Sequence, residues 1–263
     1  MQYSPTLALA TAAFEILIAG WAFATRFKGE SRGLIGTTGA ILILLAGYQL
    51  SEVAICANVA AAGFLPRLAF IVVTWLPPLG LVLVAQLRRP RSRVVEGTAG
   101  AMLAAATGIL VWIAIDRSFA TTSVCNAVYA RYTHAMPRFL VYGWFYWLGL
   151  AGMVLFSGYG AIRNEGHVRR RQLGLVFIGT AGFVALSMLT SWFIPPTRGA
   201  LPSVMCHFAL LLAVCFARLV QIEGRQEREQ EEACVRTLNV REALHRCVAR
   251  IFERSPGGEG FAG

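Results

Sequence analysis

Gln49, Glu52 and Cys56 follow one another at i, i+3 and i+7 within Ala46-Gly47-Tyr48-Gln49-Leu50-Ser51-Glu52-Val53-Ala54-Ile55-Cys56-Ala57-Asn58. On a helix that spacing sets an amide, a carboxylate and a thiol on one face. The stretch closes a long apolar run, so the carboxylate falls at membrane depth, where an ionisable side chain is a functional group by default. Two kinds of chemistry are open to it. A carboxylate beside an amide accepts hydrogen bonds from a ligand. The same carboxylate beside an imidazole or thiol is a general base or a metal ligand. Glu15 lies about midway along the first apolar run and is a candidate partner; its plainer reading is a buried carboxyl hydrogen-bonded to a neighbouring helix. His207 is the one histidine inside an apolar run, in Ser203-Val204-Met205-Cys206-His207-Phe208, at a depth similar to that of Glu52; its plainer reading is a packing residue. The expected ligand-binding set is Glu52, Gln49, His207, Glu15 and Tyr48. If a metal is held, Glu52, His207 and Cys206 are the expected ligands. Neither a catalytic set nor a cofactor is specified.

What must position these residues is a membrane-spanning bundle. The chain has 263 residues, 56% hydrophobic and 14% charged, with a mean hydropathy of +0.58; a soluble domain carries roughly 25% charged residues. Seven runs, at 6–26, 34–56, 68–87, 97–116, 138–162, 173–194 and 201–221, are long enough to cross about 30 Å of hydrocarbon at about 1.5 Å per residue. The first run lacks a basic leader and carries Glu15, unlike a cleavable signal peptide. The fold class expected is an all-α bundle of seven transmembrane helices over residues 1–221, in a bacterial inner membrane, followed by a cytoplasmic helical tail at 222–263. The formal charge is +10, but the arginines stand in short loops between apolar runs, which marks topology rather than nucleic-acid binding.

The arginine-dense loops hold Arg26, Lys28 and Arg32, then Arg88, Arg89, Arg91 and Arg93, then Arg163, Arg169, Arg170 and Arg171. The opposite loops hold only Arg67, then Arg117, Arg131 and Arg138, then Arg198. The denser side is expected in the cytoplasm, which puts the N-terminus outside and the C-terminus inside. Cys56, Cys125 and Cys206 then fall near the outer face, where an oxidising compartment permits a disulfide. Cys56–Cys125 is the first choice and Cys125–Cys206 the second, because sequence does not fix connectivity.

Other features read as packing. Thr74-Trp75-Leu76-Pro77-Pro78-Leu79-Gly80 is expected to kink the third span, with freed carbonyls lining a polar pocket as the alternative. Gly97, Gly100, Ala101, Ala104, Ala105, Ala106 and Gly108 make the fourth span a helix for close packing rather than a site. The Asp116–Arg138 loop, with Cys125, Tyr129, Tyr132 and His134, is placed to cap the outer mouth. Phe139, Tyr142, Trp144, Phe145, Tyr146 and Trp147 open the fifth span as an interfacial aromatic set or a pocket wall. Gly149, Gly152, Gly158 and Gly160 further along it mark close contact with a neighbouring helix. Pro195-Pro196 stops the sixth span. Beyond Gln221 a solvated stretch of glutamates and arginines leads to Val235, Leu238, Val240, Leu244, Val248, Ile251 and Phe252 at near-helical spacing. That is a short amphipathic tail helix suited to the membrane surface or a protein partner, with disorder expected after Ser255.

Several functions are excluded by residue type. Lys28 lies in a loop, so no span offers a lysine for a retinal Schiff base. His134, His167 and His245 lie outside the spans, leaving His207 too few companions for a histidine-rich zinc hydrolase or a bis-histidine haem. No Gly-x-Ser-x-Gly or nucleotide-phosphate loop occurs, and no internal repeat supports a transporter.

Tyr3-Ser4-Pro5-Thr6, Tyr48-Gln49-Leu50-Ser51-Glu52, Trp75-Leu76-Pro77-Pro78 and Ser203-Val204-Met205-Cys206-His207-Phe208 together resemble an uncharacterised bacterial family of seven-span integral membrane proteins. The likeness covers about residues 3–220. It departs at Val53, where glycine is expected, and in lacking a cysteine beside Ser4. The resemblance implies a seven-helix fold and no activity. The functional expectation is a non-enzymatic sensor, ligand-binding protein or accessory subunit with a polar pocket in the outer half of the bundle. The alternatives are a membrane-embedded enzyme acting on a lipid or small apolar substrate, with Glu52 as general base, and a transporter.

Overall fold

The computed structural model describes residues 4–25, 29–57, 64–116, 118–126, 130–134, 138–163, 166–194 and 201–254. Tyr3, Lys28, Tyr129, Pro195-Pro196 and the end from Ser255 lie outside them. The order of elements is α1 (Thr6–Ala24), α2 (Gly29–Ala57), α3 (Leu65–Thr74), α4 (Leu76–Leu87), α5 (Arg93–Ile115), β1 (Ala120–Cys125), β2 (Ala130–His134), α6 (Arg138–Arg163), α7 (His167–Phe193) and α8 (Leu201–Arg254). Taking α3 and α4 together, the described residues contain seven helical stretches long and apolar enough to cross a membrane. This is the build of a multi-pass membrane protein. Large apolar side chains turned outward fit a lipid environment: Leu17 is 71% exposed, Ile115 76% and Trp192 76%. Backbone polar groups in such an environment must be satisfied within the chain, and helices do this residue by residue.

The chain divides into two units, Met1–Ile222 and Glu223–Gly263. Within the first, α2 packs against α1, α3 and α4, and α4 also packs against α5, α6 and α7. Alpha-helix α8 joins α7 where Gly179 leaves no room for a Cβ against Leu212 and Cys215. In the second unit α8 carries exposed charged side chains, with Glu232 and Arg236 paired at 3.7 Å one turn apart. The helix that begins at Leu201 is assigned to Arg254.

The third span breaks where the proline pair demands. The helix is interrupted at Trp75, which keeps right-handed helical torsions, and Pro77 and Pro78 fall in the first turn of α4, where a missing N–H costs least. The Thr74 hydroxyl donates back to the Phe70 carbonyl at 2.6 Å in the last turn of α3. Gly149 of α6 lets that helix rest on Pro77, since a Cβ there would overlap the proline ring.

The described residues fit the all-α seven-helix bundle, and the Asp116–Arg138 loop adds an antiparallel β-hairpin to it. Cys125 pairs with Ala130 and Ala120 with His134, with an irregularity between Ala120 and Thr122. Thr122, Val124, Tyr132 and Thr133 are strand-favouring residues, and a short connection lets the two segments pair. The small residues of α5 do not form its packing face: Gly97, Gly100, Ala101, Ala104, Ala105 and Gly108 are exposed, and of that set only Ala106 is buried. Helix α5 turns Val95, Ala99 and Ile113 inward instead.

Candidate functional site

The second helix presents Gln49 and Glu52 inward, both essentially without solvent exposure, with Tyr48 equally buried. Glu52 is one turn before Cys56, so the carboxylate and the sulfur lie on the same side of α2. Two separate elements reach the carboxylate. Ser203 of α8 donates its hydroxyl at 2.7 Å to either oxygen, a forked bond from a single proton. The backbone N–H of Ala130 in β2 donates to Oε1 at 3.1 Å. A carboxylate offers roughly four lone-pair sites, and among the described residues these two donors are the ones that reach Glu52. Acceptor capacity is therefore left over.

Gln49 links this centre to the first helix. Its amide nitrogen donates to the Cys206 carbonyl at 3.1 Å and reaches both Glu15 oxygens at 3.4 Å. Its oxygen accepts from the Thr11 hydroxyl. Glu15 is fully buried, yet its contact with Gln49 is long for an N–H···O bond. Thr11 and Glu15 are spaced i, i+4, which places both on the α1 face that meets α2. The cluster thus has two acid centres, Glu52 held by Ser203 and Ala130 and Glu15 thinly bonded to Gln49, whose amide ties α1 to the Cys206 carbonyl of α8.

The cysteines complete its outer wall. Cys56 and Cys125 form a disulfide, Cα–Cα 5.8 Å, closing 69 residues of sequence. Because Cys125 lies opposite Ala130 across the hairpin, the covalent link and the Ala130–Glu52 hydrogen bond are neighbouring ties between α2 and the same hairpin. Phe70 packs beneath it, with ring centroids 5.4 Å from Phe119 and 5.3 Å from Tyr132. Tyr142 of α6 joins from the other side, 5.4 Å from Phe70. The aromatic start of α6 therefore splits: Tyr142 and Phe145 point into the protein, while Trp144 is 68% exposed. Tyr48 faces Tyr132 and lies near Glu52 and Cys206.

Of the expected site residues, the structure gathers Glu52, Gln49, Glu15 and Tyr48, with the Cys206 thiol buried nearby. Helix α8 reaches Glu52 through Ser203, one turn ahead of the half-buried His207. Among the described residues no group of three or more His, Cys, Asp and Glu side chains gathers as a metal ion requires. Sequence reasoning missed Thr11 and Ser203 as site residues. Both stand one turn from a residue it did select, and hydroxyl positions at that spacing were the available signal. A cavity of about 20 Å³ borders the cluster at Cys206, walled otherwise by side chains such as Ile41, Leu45, Leu76 and Met205. That is space for about one water, and its apolar lining offers a water little to bond.

No protein-family model matches the chain. No curated protein matches it, and no solved structure does.

Proposed function

We propose that this multi-pass membrane protein is a binding or sensing component of a bacterial inner membrane, related to the seven-span family it resembles, with its N-terminus outside and its charged tail in the cytoplasm. Glu52 is its central acceptor, Gln49 and Glu15 extend the acceptor surface inward, and Tyr48 supports it. The ligand class this chemistry suits is a small donor-bearing species such as a primary ammonium ion, since Glu52 keeps acceptor capacity and Glu15 is thinly bonded, while cationic side chains stay at the loops. The observation that supports the reading is Glu52 itself: a fully buried carboxylate held by single donors from two independent elements, with lone pairs to spare. A tail with charged and apolar residues at helical spacing suits a protein partner that would receive the signal. The lipid bilayer is the other partner this build requires.

The test is a thermal-unfolding screen of purified protein against small ammonium compounds, repeated for Glu52→Gln. Stabilisation that disappears in the variant supports the reading. If no ammonium compound stabilises the wild type, or the variant responds equally, Glu52 is not a ligand acceptor. A transport role is the second reading. Glu15, halfway along α1 and bonded to Gln49, is a second buried acid besides Glu52. Ammonium-driven uptake into proteoliposomes would establish it, and tight binding without uptake would dismiss it.

A further inference from the structure

We propose that the Cys56–Cys125 disulfide is a redox latch: its reduction by a dithiol releases the β1–β2 hairpin from α2 and opens the Glu52 centre to the outer aqueous side. The inference rests on the binding reading above and adds its control. Three observations converge. Glu52 and Cys56 stand one turn apart on α2, while Ala130 and Cys125 stand opposite each other in the hairpin, so one hydrogen bond and one disulfide fasten the same two elements side by side. Ala130 is itself fully buried, and its N–H covers one oxygen of Glu52, so the hairpin is the lid over that carboxylate. Cys56 and Cys125 are half-buried residues and neighbouring Val124 is 59% exposed, so a reductant reaches the hairpin more readily than the buried Cys206.

The exchange balances in two steps. A thiolate of the dithiol attacks one sulfur of the pair, forming a mixed disulfide and expelling the other cysteine as a thiolate. The second thiol of the reductant then attacks the mixed disulfide, frees the remaining cysteine and leaves as a closed disulfide. The protein gains two electrons and two protons, ending with two thiols. Without the covalent tie, the hairpin is held at this edge by the Ala130–Glu52 bond and by the packing of Phe119 and Tyr132 on Phe70. Phe119, Ala120, Ala130 and Tyr132 are buried, so opening has to release their packing as well, as a sub-global step short of unfolding the bundle.

The experiment uses full-length protein in phosphatidylcholine nanodiscs, oxidised or treated with dithiothreitol. A water-soluble carbodiimide with glycine ethyl ester reports Glu52 access by peptide mass spectrometry, and amide hydrogen exchange reports Ala130. Reduction is expected to raise Glu52 labelling by about ten-fold or more and to speed Ala130 exchange, with helix content unchanged. A Cys56→Ser/Cys125→Ser double variant should be open with or without reductant. If it fails to fold, the oxidised and reduced wild type still carry the comparison. Equal labelling and exchange after two new thiols have been counted would overturn the latch. Loss of helix content on reduction would also overturn it, making the disulfide a staple of the whole fold. Failure of ammonium binding would instead strike the binding reading and leave these access measurements standing.

Discussion

The seam between α1, α2 and α8 and the outer face of α5 obey opposite rules within one bundle. The seam buries Thr11, Glu15, Gln49, Glu52 and Ser203, polar groups that hydrocarbon would penalise heavily. The α5 face exposes Gly100, Ala104 and Gly108 in an i, i+4, i+8 row with nothing near enough to touch an added Cβ at either glycine. The contrast shows which groups command a partner in a membrane. A carboxyl or amide must find one inside the protein, whereas a small apolar residue is as content against a lipid tail as against a helix. Polar residues therefore fix the neighbours of α2, and small residues leave the neighbours of α5 unspecified.

The comparison breaks most visibly at the ring beneath the hairpin. Phe70→Ala should lower stability by about 3–5 kcal/mol, because the side chain is fully buried among several aromatic rings and its loss leaves a cavity. Denaturant titration in mixed micelles measures this. Glu52→Leu should cost about 2–3 kcal/mol by stranding the Ser203 hydroxyl and the Ala130 N–H. Adding Ser203→Ala to that variant should recover part of the loss in the same titration. A double mutant no better than the single would mean that the hydroxyl finds another partner. Gly149→Val should cost about 1–3 kcal/mol through overlap with Pro77 and Met102, and would be read as a weakened contact between α4 and α6. Thr11→Val sharpens the estimate for the seam: single hydrogen bonds between membrane helices average about 0.6 kcal/mol, so a loss near that size is expected. Gly100→Leu and Gly108→Leu should change stability by no more than about 0.5 kcal/mol. A large effect at either would mean that the α5 face is covered by protein rather than by lipid.

The legible part of the site was the phase of α2. Gln49 and Glu52 at i, i+3 had to share a face, and a carboxylate inside an apolar run had to turn inward. The choice of partner was not legible. Ser203 and His207 are also one turn apart and share a face of α8, so which of them meets Glu52 depends on the height at which α8 docks. That height is set by packing such as Gly179 against Leu212, between residues distant in sequence. The hairpin carried a local signal in its β-branched and aromatic residues, but its pairing depends on two segments meeting across a turn. In α5 the glycines and alanines carried no directional information at all.

By itself the sequence determined the object: long apolar runs of bilayer length, interrupted by arginine-rich loops, can satisfy their backbone only as membrane-crossing helices. The proline pair likewise dictated where the third of them must break. Only the tertiary structure decided that Glu52 is closed by a serine and a strand amide, that Glu15 meets Gln49, and that the small face of α5 is left outward. The physical reason is range. Hydropathy and backbone constraints act within a segment, while the partner of a buried polar group is chosen by rotation and depth between segments, which the whole assembly fixes together.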